Sequence, residues 1–320
     1  MAADGRRGTG RTPGTATDGG RRRVLVVGDI ATDVLAVLPA PLAGGLALGT
    51  DTAVRIGLTP GGSAANTATW LAGTGTPVTL IGAVGTDAAG DARLAELAAA
   101  GVDTAVARVD AATGAIVVLS DPQDRTMLCD RGANHLLPAA HVTEAVRAAT
   151  DAGHLHLSAY PLFDPGSAPA ALAALRTARA TGLSVSVDAA SAGPLAAGGE
   201  VVRDRLRGAD LLLANLDEAR VLAGDPTADA RTAARALTAL AVRVVVKLGA
   251  DGAVFADQDG TLPVPAEPVT AVDPTGAGDA FAAGLLAAWL SGAAPAEAVR
   301  AGNELGARAV TAVGARPATR

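Results

Sequence analysis

The chain is poor in the residues that staple, stack or clamp. It contains a single cysteine, Cys129, which excludes a disulfide framework and any multi-cysteine metal site. A reducing cytoplasm suits such a chain. Aromatic residues make up 2% of its 320 residues, so aliphatic side chains must build the core. Lysine occurs once, as Lys247 followed by Leu248, which rules out the Gly-Lys-Ser/Thr of a Walker P-loop. No run of 18 or more apolar residues reads as a membrane span.

Basic charge is also scarce where it would matter for nucleic acid. The formal net charge is −6. Residues 1–23 carry six arginines in a Gly- and Thr-rich stretch without apolar periodicity, the composition of a disordered basic tail. Without them the remainder has 20 basic and 30 acidic residues, a charge of about −10. A nucleic-acid binder needs a basic face on its folded part, so that class is set aside. The apolar run after Arg23 is cut by Asp29 and Asp33, which argues against an export signal.

What is present is a rhythm. Short β-rich runs such as VLVVGDI (24–30), VTLIGAVG (78–85), LSVSVDA (183–189), ADLLLAN (209–215) and VRVVVKLG (242–249) alternate with alanine-rich helical stretches. That alternation predicts an α/β fold with a mostly parallel sheet covered on both faces. Two segments, about 35–60 and 103–127, break the rhythm and read as insertions forming a small β lid beside residues 24–320.

Ligands of open α/β sheets bind at the carboxyl ends of strands, so loops there draw attention. DPTGAGDAF (273–281) sets Gly276, Ala277 and Gly278 at a helix start, where consecutive backbone N–H groups make a nest for an anion without a lysine. Asp279 follows directly. It either caps the helix or takes the proton from a hydroxyl attacking a phosphoryl group in that nest. Asp273 is either a turn residue or a cation ligand. Asn66 caps its own helix start or faces a ligand; Gly61 and Gly62 make a tight turn or admit a ligand closely. Lys247 is a strand-end residue and Asn215 with Glu218 a solvated turn unless the motifs act together. His135, His141, His154 and His156 lack metal-ligand spacing and read as structural.

Taken in order, GGSAANTA (61–68), GAVGTDAAGD (82–91), NLDE (215–218), KLGADGA (247–253), DPTGAGDAF (273–281) and AVTAVGA (309–315) resemble the signatures of the PfkB family, the ribokinase-like carbohydrate kinases. The resemblance implies a three-layer α/β/α fold with a small β lid, and ATP-dependent phosphoryl transfer to a hydroxyl of a small sugar or sugar acid. It implies Asp279 as general base and Gly276, Ala277 and Gly278 as the anion hole. Asn215 and Glu218 would organise Mg²⁺ and its waters, and Lys247, Gly249, Gly252 and Asn303 would line the nucleotide site. Asp273, Thr275, Ala309 and Gly314 would hold a monovalent cation such as K⁺. A serine common near the end of that cation loop is Ala318 here, which departs from the pattern.

For the acceptor, the resemblance implies Asp33, Gly61, Gly62, Asn66 and Asp279. The Asn that ribokinases carry two residues before the sugar-binding Asp is Ala31, which removes a group that reads a hydroxyl; Asp29 either compensates or ends its strand. A nucleoside acceptor would call for aromatic stacking, and the two lid segments contain no Phe, Tyr or Trp, although Tyr160 and Phe163 follow a main-sheet strand. Arg125 is placed to meet a substrate carboxylate or lies on the surface. A non-catalytic ligand sensor would have lost the base or the glycines, and both are intact. The uncharged run 34–50 suggests a homodimer through the lid. No nucleic-acid or membrane partner is expected.

Overall fold

The computed structural model describes residues 22–38, 49–120 and 125–317, apart from the side chain of Arg125. Most of the basic tail, the middle of the uncharged run, the side chain of Arg125 and Ala318 therefore lie outside the described residues.

The chain runs β1 (Arg23–Val27), β2 (Ala31–Val37), β3 (Arg55–Gly61), α1 (Ser63–Gly73), β4 (Val78–Gly85), α2 (Ala88–Ala99), β5 (Asp103–Val109), β6 (Gly114–Ser120) and β7 (Arg125–Asp130). It continues through α3 (Ala139–Ala148), β8 (Ala152–Ser158), α4 (Tyr160–Phe163), α5 (Ala168–Ala180), β9 (Ser184–Asp188), α6 (Ala192–Leu206), β10 (Ala209–Asn215) and α7 (Leu216–Ala223). It ends with α8 (Ala230–Leu237), β11 (Ala241–Lys247), β12 (Ala253–Asp257), β13 (Gly260–Val264), α9 (Ala277–Leu290) and α10 (Pro295–Ala309).

Nine strands form one sheet in the order β13-β12-β11-β10-β9-β8-β1-β4-β5. Pairings from β11 through β5 are parallel, and β12 and β13 add antiparallel at one edge. Val24, Leu25, Val26 and Val27 of β1 are all fully buried, as a strand covered on both faces requires. Their side chains alternate between two cores. Leu25 and Val27 join the layer of α3, α5, α6, α7 and α8, while Val24 and Val26 join that of α1, α2, α9 and α10. Alanines dominate the helix faces (Ala170, Ala171 and Ala174 in α5; Ala280, Ala282 and Ala283 in α9), so the scarcity of aromatic rings is met by close approach. Among the described residues no helix is long and apolar enough to cross a membrane.

A second sheet of four strands, β3-β2-β6-β7, is the lid. Its composition corrects the expected boundaries. The first strand of the 103–127 segment, β5, does not join the lid but pairs parallel with β4 at the main-sheet edge. Its pattern of exposed and half-buried residues reads like a lid strand because an edge strand is only half covered. Ala105 and Ala107 nevertheless pack on one core and Val106 on the other. The lid takes in Ala31–Val37 at one end and runs past Met127 to Asp130 at the other. β1 also begins at Arg23, one residue inside the expected tail, where the guanidinium pairs with Asp103 at 2.5 Å and Asp151 at 2.9 Å.

Two glycines bring the lid to the main sheet. A Cβ on Gly61 would lie 2.0 Å from Asp33 Oδ1, and one on Gly62 (φ 91°) 2.4 Å from the Asp29 carbonyl oxygen. Only hydrogen fits at either place. The pair lets β3 run antiparallel beside β2 and turn directly into α1.

Candidate active site

The lid and the carboxyl ends of the parallel strands enclose a cleft of about 680 Å³. Strand ends and helix starts supply much of its polar lining. β9 ends in Asp188, β10 in Asn215 and β11 in Lys247, while α1 and α9 point their N-termini inward.

The start of α9 is shaped by Gly276. It has φ 75°, and a Cβ there would come within 2.5 Å of the Ala315 carbonyl oxygen. The left-handed turn starts α9 at the cleft; its first amides have no partner within the helix, and that of Ala277 donates to the Pro274 carbonyl at 3.3 Å. Gly276, Ala277 and Gly278 all line the cleft.

Asp279 sits in the first turn of α9 and is held from the other end of the chain. Ser63 Oγ donates to Oδ1 at 2.8 Å, and Asn66 Nδ2 donates to Oδ2 at 3.0 Å. Ser158 Oγ, at the end of β8, donates to Ser63 Oγ at 3.2 Å. Burial pushes the Asp279 carboxyl up to about 7, the Asn66 and Ser63 bonds pull against it, and nearby Asp188 adds to the rise. A carboxylate that ionises near neutrality and accepts two hydrogen bonds is set up to take a proton.

Lys247 is not an exposed strand end. Its side chain is half-buried, and the ammonium donates to Asp188 Oδ2 at 2.6 Å. Burial works against the charge, but the carboxylates of Asp188 and Glu218 raise the pKa above its usual value. A Cβ on Gly278 would be 3.3 Å from Nζ, which places the cation beside the anion nest. Gly249 and Gly252 line the cleft, and Gly252 packs so tightly on the end of β13 that a Cβ would meet the Val264 carbonyl oxygen at 2.2 Å. Asn303 secures the same segment by donating to the carbonyls of Val264 and Pro265.

Asn215 and Glu218 are joined as a capping box at the start of α7. Asn215 Oδ1 accepts from the Glu218 amide, and Glu218 accepts from the Asn215 amide and Nδ2, each at 2.8 Å. Burial pushes the Glu218 carboxyl up, with Asp188 adding to the rise and Lys247 opposing it. Each Glu218 oxygen keeps a lone pair, so the pair suits a divalent cation reached through water. Asp273 accepts from the amides of Thr275 and Gly314, both at 2.9 Å, and the Ala309 carbonyl accepts from Ala312 at 3.4 Å. These four residues gather where the 273–276 turn meets the C-terminal loop.

At the lid end, Asp33 lines the cleft with Oδ1 buried and without a hydrogen-bond partner. Burial pushes its carboxyl up to about 6, against the pull of Arg316 and Arg93. Asp29 pairs with Arg131 at 2.5 Å, and the Arg131 guanidinium lies 5.1 Å above the Tyr160 ring. Asn134 bonds both the amide and the carbonyl of Ile30.

Four participants have no counterpart in the sequence expectations: Ser63, Asp188, Arg131 and Arg316. Asp188 carried a usable signal, a carboxylate ending a buried strand. Ser63 stood inside a motif already singled out. Arg131 and Arg316 lie in irregular segments, where spacing says nothing about direction. The histidines take ordinary roles: His154 and His156 are buried in β8, bonded to Ser184 and Ser186, and burial drives them down to about 3 and about 4. His135 pairs with Asp164, and His141 bonds the Ala105 carbonyl.

Comparison with known proteins bears on this geometry. The family model described as pfkB family carbohydrate kinase matches residues 21–320. The chain is 35% identical over 267 residues to the ATP-dependent ribose-1-phosphate kinase of Halopiger xanaduensis, covering 81% of this chain and 82% of that protein. A solved putative ribokinase II from E. coli, in complex with ATP and Mg²⁺, superposes with a TM-score of 0.79 at 27% identity over 93% of this chain and 96% of that one. The adenosine kinase of Sinorhizobium meliloti superposes with a TM-score of 0.83 at 24% identity over 93% and 97%, a likeness of fold.

Asp279 yields a prediction with a definite sign. A general base works only when ionised, so kcat/KM should fall as pH drops below about 7, the value to which burial lifts its carboxyl. Asp279→Asn should lose about two orders of magnitude or more in kcat with ATP binding retained. A pH–rate profile and ATP titration of the two proteins check both; near-normal turnover of the variant would remove the role.

Proposed function

Because the chain belongs to the pfkB family of carbohydrate kinases, and so is an ATP-dependent phosphotransferase acting on a sugar hydroxyl, we propose that its acceptor is ribose or ribose 1-phosphate, a ribosyl sugar without a base. The observation that carries this is that Asp33, whose Oδ1 has no hydrogen-bond partner, lines the same cleft as Asp279. A carboxylate out of water without a donor is costly, and a sugar hydroxyl supplies the donor. The 35% identity to a ribose-1-phosphate kinase supports the ribosyl choice.

The division of labour follows from the walls of the cleft. Asp33, Asn66 and the Gly61–Gly62 turn hold the sugar, with its reacting hydroxyl at Asp279. Asp279 takes the proton as that oxygen attacks. The γ-phosphoryl group lies over the amides of Gly276, Ala277 and Gly278 beside the Lys247 ammonium, which meet the charge as it shifts between oxygens. The ATP body runs along Gly249, Gly252 and the segment held by Asn303. Mg²⁺, organised through water by Glu218 and Asn215, neutralises phosphate charge when bound. Asp273, Thr275, Ala309 and Gly314 are the proposed monovalent-cation set, K⁺ being the candidate. The exposed Cys129 fits a cytoplasmic setting.

A nucleoside acceptor is the second possibility, raised by the adenosine kinase fold likeness. It fits less well. The Tyr160 ring already carries the Arg131 guanidinium over one face and packs edge-on to Phe163 at 5.9 Å, which leaves little of it for a base. We also propose a homodimer through the lid, whose β3 exposes Ile56 and Leu58 to solvent at 66% and 71%.

Four measurements test these proposals. In an ADP-release assay over ribose, ribose 1-phosphate, 2-keto-3-deoxygluconate and adenosine, one of the two ribosyl sugars should give the highest kcat/KM; preference for adenosine would reverse the assignment. With the preferred sugar, Asp33→Ala should lose about 2–4 kcal/mol in kcat/KM, roughly thirty-fold to a thousand-fold, with KM for ATP near wild type. Activity should require Mg²⁺, and Glu218→Ala should shift the Mg²⁺ titration to higher concentration; an unmoved curve would take Glu218 out of the site. Light scattering at micromolar concentration should return twice the chain mass, and a monomer mass would contradict the lid dimer.

A further inference from the structure

We propose that Arg316, in the loop after α10, is a positioning residue for phosphoryl transfer: it locks the side-chain amide of Asn66 so that Nδ2 faces Asp279. The inference rests on Asp279 being the general base. Arg316 Nε donates to Asn66 Oδ1 at 3.0 Å, and its Nη2 donates to the Gly61 carbonyl at 2.9 Å. Asn66 in turn donates to Asp279 Oδ2. The result is a chain of donors from the last turn of the protein, through the first helix, to the carboxylate.

The direction of this chain is chemically determined. The oxygen and nitrogen of an amide are nearly the same size, so a lone Asn can sit either way round. Arginine has donors and no acceptor. Its Nε therefore requires Oδ1 on its side, which puts Nδ2 on the side of Asp279. The opposite orientation would aim Oδ1 at a carboxylate oxygen 3.0 Å away. Two acceptors at that distance repel unless the carboxyl carries a proton, and a protonated Asp279 is no base. Arg316 thus selects the arrangement that suits ionised Asp279 and leaves the second Nδ2 hydrogen for the cleft, which Asn66 lines.

The guanidinium is held for this task. The loop is pinned just before it, by Trp70 Nε1 donating to the Ala315 carbonyl at 3.0 Å and by the Gly314 amide donating to Asp273. Burial lowers the Arg316 pKa only to about 10, so it stays charged at neutral pH. The charged groups around Asp279 come from several elements: Lys247 from β11, Asp188 from β9 and Arg316 from the C-terminal loop, beside the neutral Ser63 and Asn66 of α1. Among these only Arg316 bonds Asn66 Oδ1. Its second bond, to the Gly61 carbonyl, anchors the guanidinium on the turn that precedes α1.

The test compares Arg316→Lys, Arg316→Ala, Asn66→Ala and the Arg316→Ala/Asn66→Ala double variant, each first shown to fold by its thermal transition. ADP release is followed with ribose 1-phosphate, with ribose, and with no acceptor, where water takes the hydroxyl's place. Lysine keeps the charge but lacks the planar fork, so both Arg316 variants should lose about ten-fold to a hundred-fold in kcat while KM for ATP stays within about two-fold. The acid limb of kcat should move to higher pH in both. Arg316→Ala should cost less than about two-fold once Asn66 is already alanine, because its route to Asp279 is gone. Millimolar guanidinium should restore part of the Arg316→Ala loss and none of the Asn66→Ala loss. Additive losses in the double variant, or an Arg316→Lys enzyme with wild-type kcat and pH profile, would overturn the relay. An active Asp279→Asn enzyme would instead refute the general-base assignment itself, so the two failures are told apart.

Discussion

The two hydrogen bonds that Ser63 and Asn66 give to the Asp279 carboxylate are the interaction on which the rest of the molecule depends. They join positions 216 and 213 residues apart, so they exist only when the whole sheet has formed between them. α1 must leave the lid through the Gly61–Gly62 turn, and α9 must begin at the left-handed Gly276. The C-terminal loop must then close over both, with Ala315 against Gly276 and Trp70. Each close contact is at a place where a Cβ would collide with backbone or with a charged side chain. The glycines of the two signature motifs are thus geometric conditions for one buried carboxylate, as much as openings for a ligand.

The electrostatics of the cleft point the same way. Asp188, Glu218 and Asp279 line it against one ammonium, Lys247, which is already paired with Asp188. Burial raises the carboxyls of Glu218 and Asp279, the expected response of anions removed from water with too little positive charge nearby. In the proposed function a magnesium-bound nucleotide would change that balance: Glu218 would face the metal's charge, and the helix amides and Lys247 would face the phosphates. Kinases of this type need little covalent machinery, because placing charge correctly lowers most of the barrier.

Much of this was legible in the sequence, for identifiable reasons. The main strands read clearly because strands buried on both faces are continuous apolar runs, and VLVVG or ADLLLAN leaves no other use for such residues. Asp279 and its glycines read clearly because a nest and a carboxylate at one helix start are local features, contained in nine residues. The position of β5 did not. An edge strand alternates as a lid strand does, and only its pairing with β4 separates them. Whether Lys247 was an exposed strand end stayed open because nothing local announces Asp188, 59 residues away, with which it pairs. Arg131 and Arg316 gave no signal, since their direction is set by loops that take shape only on the finished fold.

The central claim is that the acceptor hydroxyl meets Asp279 while the transferred phosphoryl group lies on the amides at the start of α9. A crystal structure with ribose 1-phosphate or ribose, Mg²⁺ and a non-hydrolysable ATP analogue tests it most directly. The account predicts one sugar hydroxyl within about 2.6–3.2 Å of an Asp279 carboxylate oxygen, another on Asp33, and the γ-phosphate over Gly276–Gly278 next to Lys247. A sugar bound away from Asp279, or a γ-phosphate outside the amide nest, would contradict it.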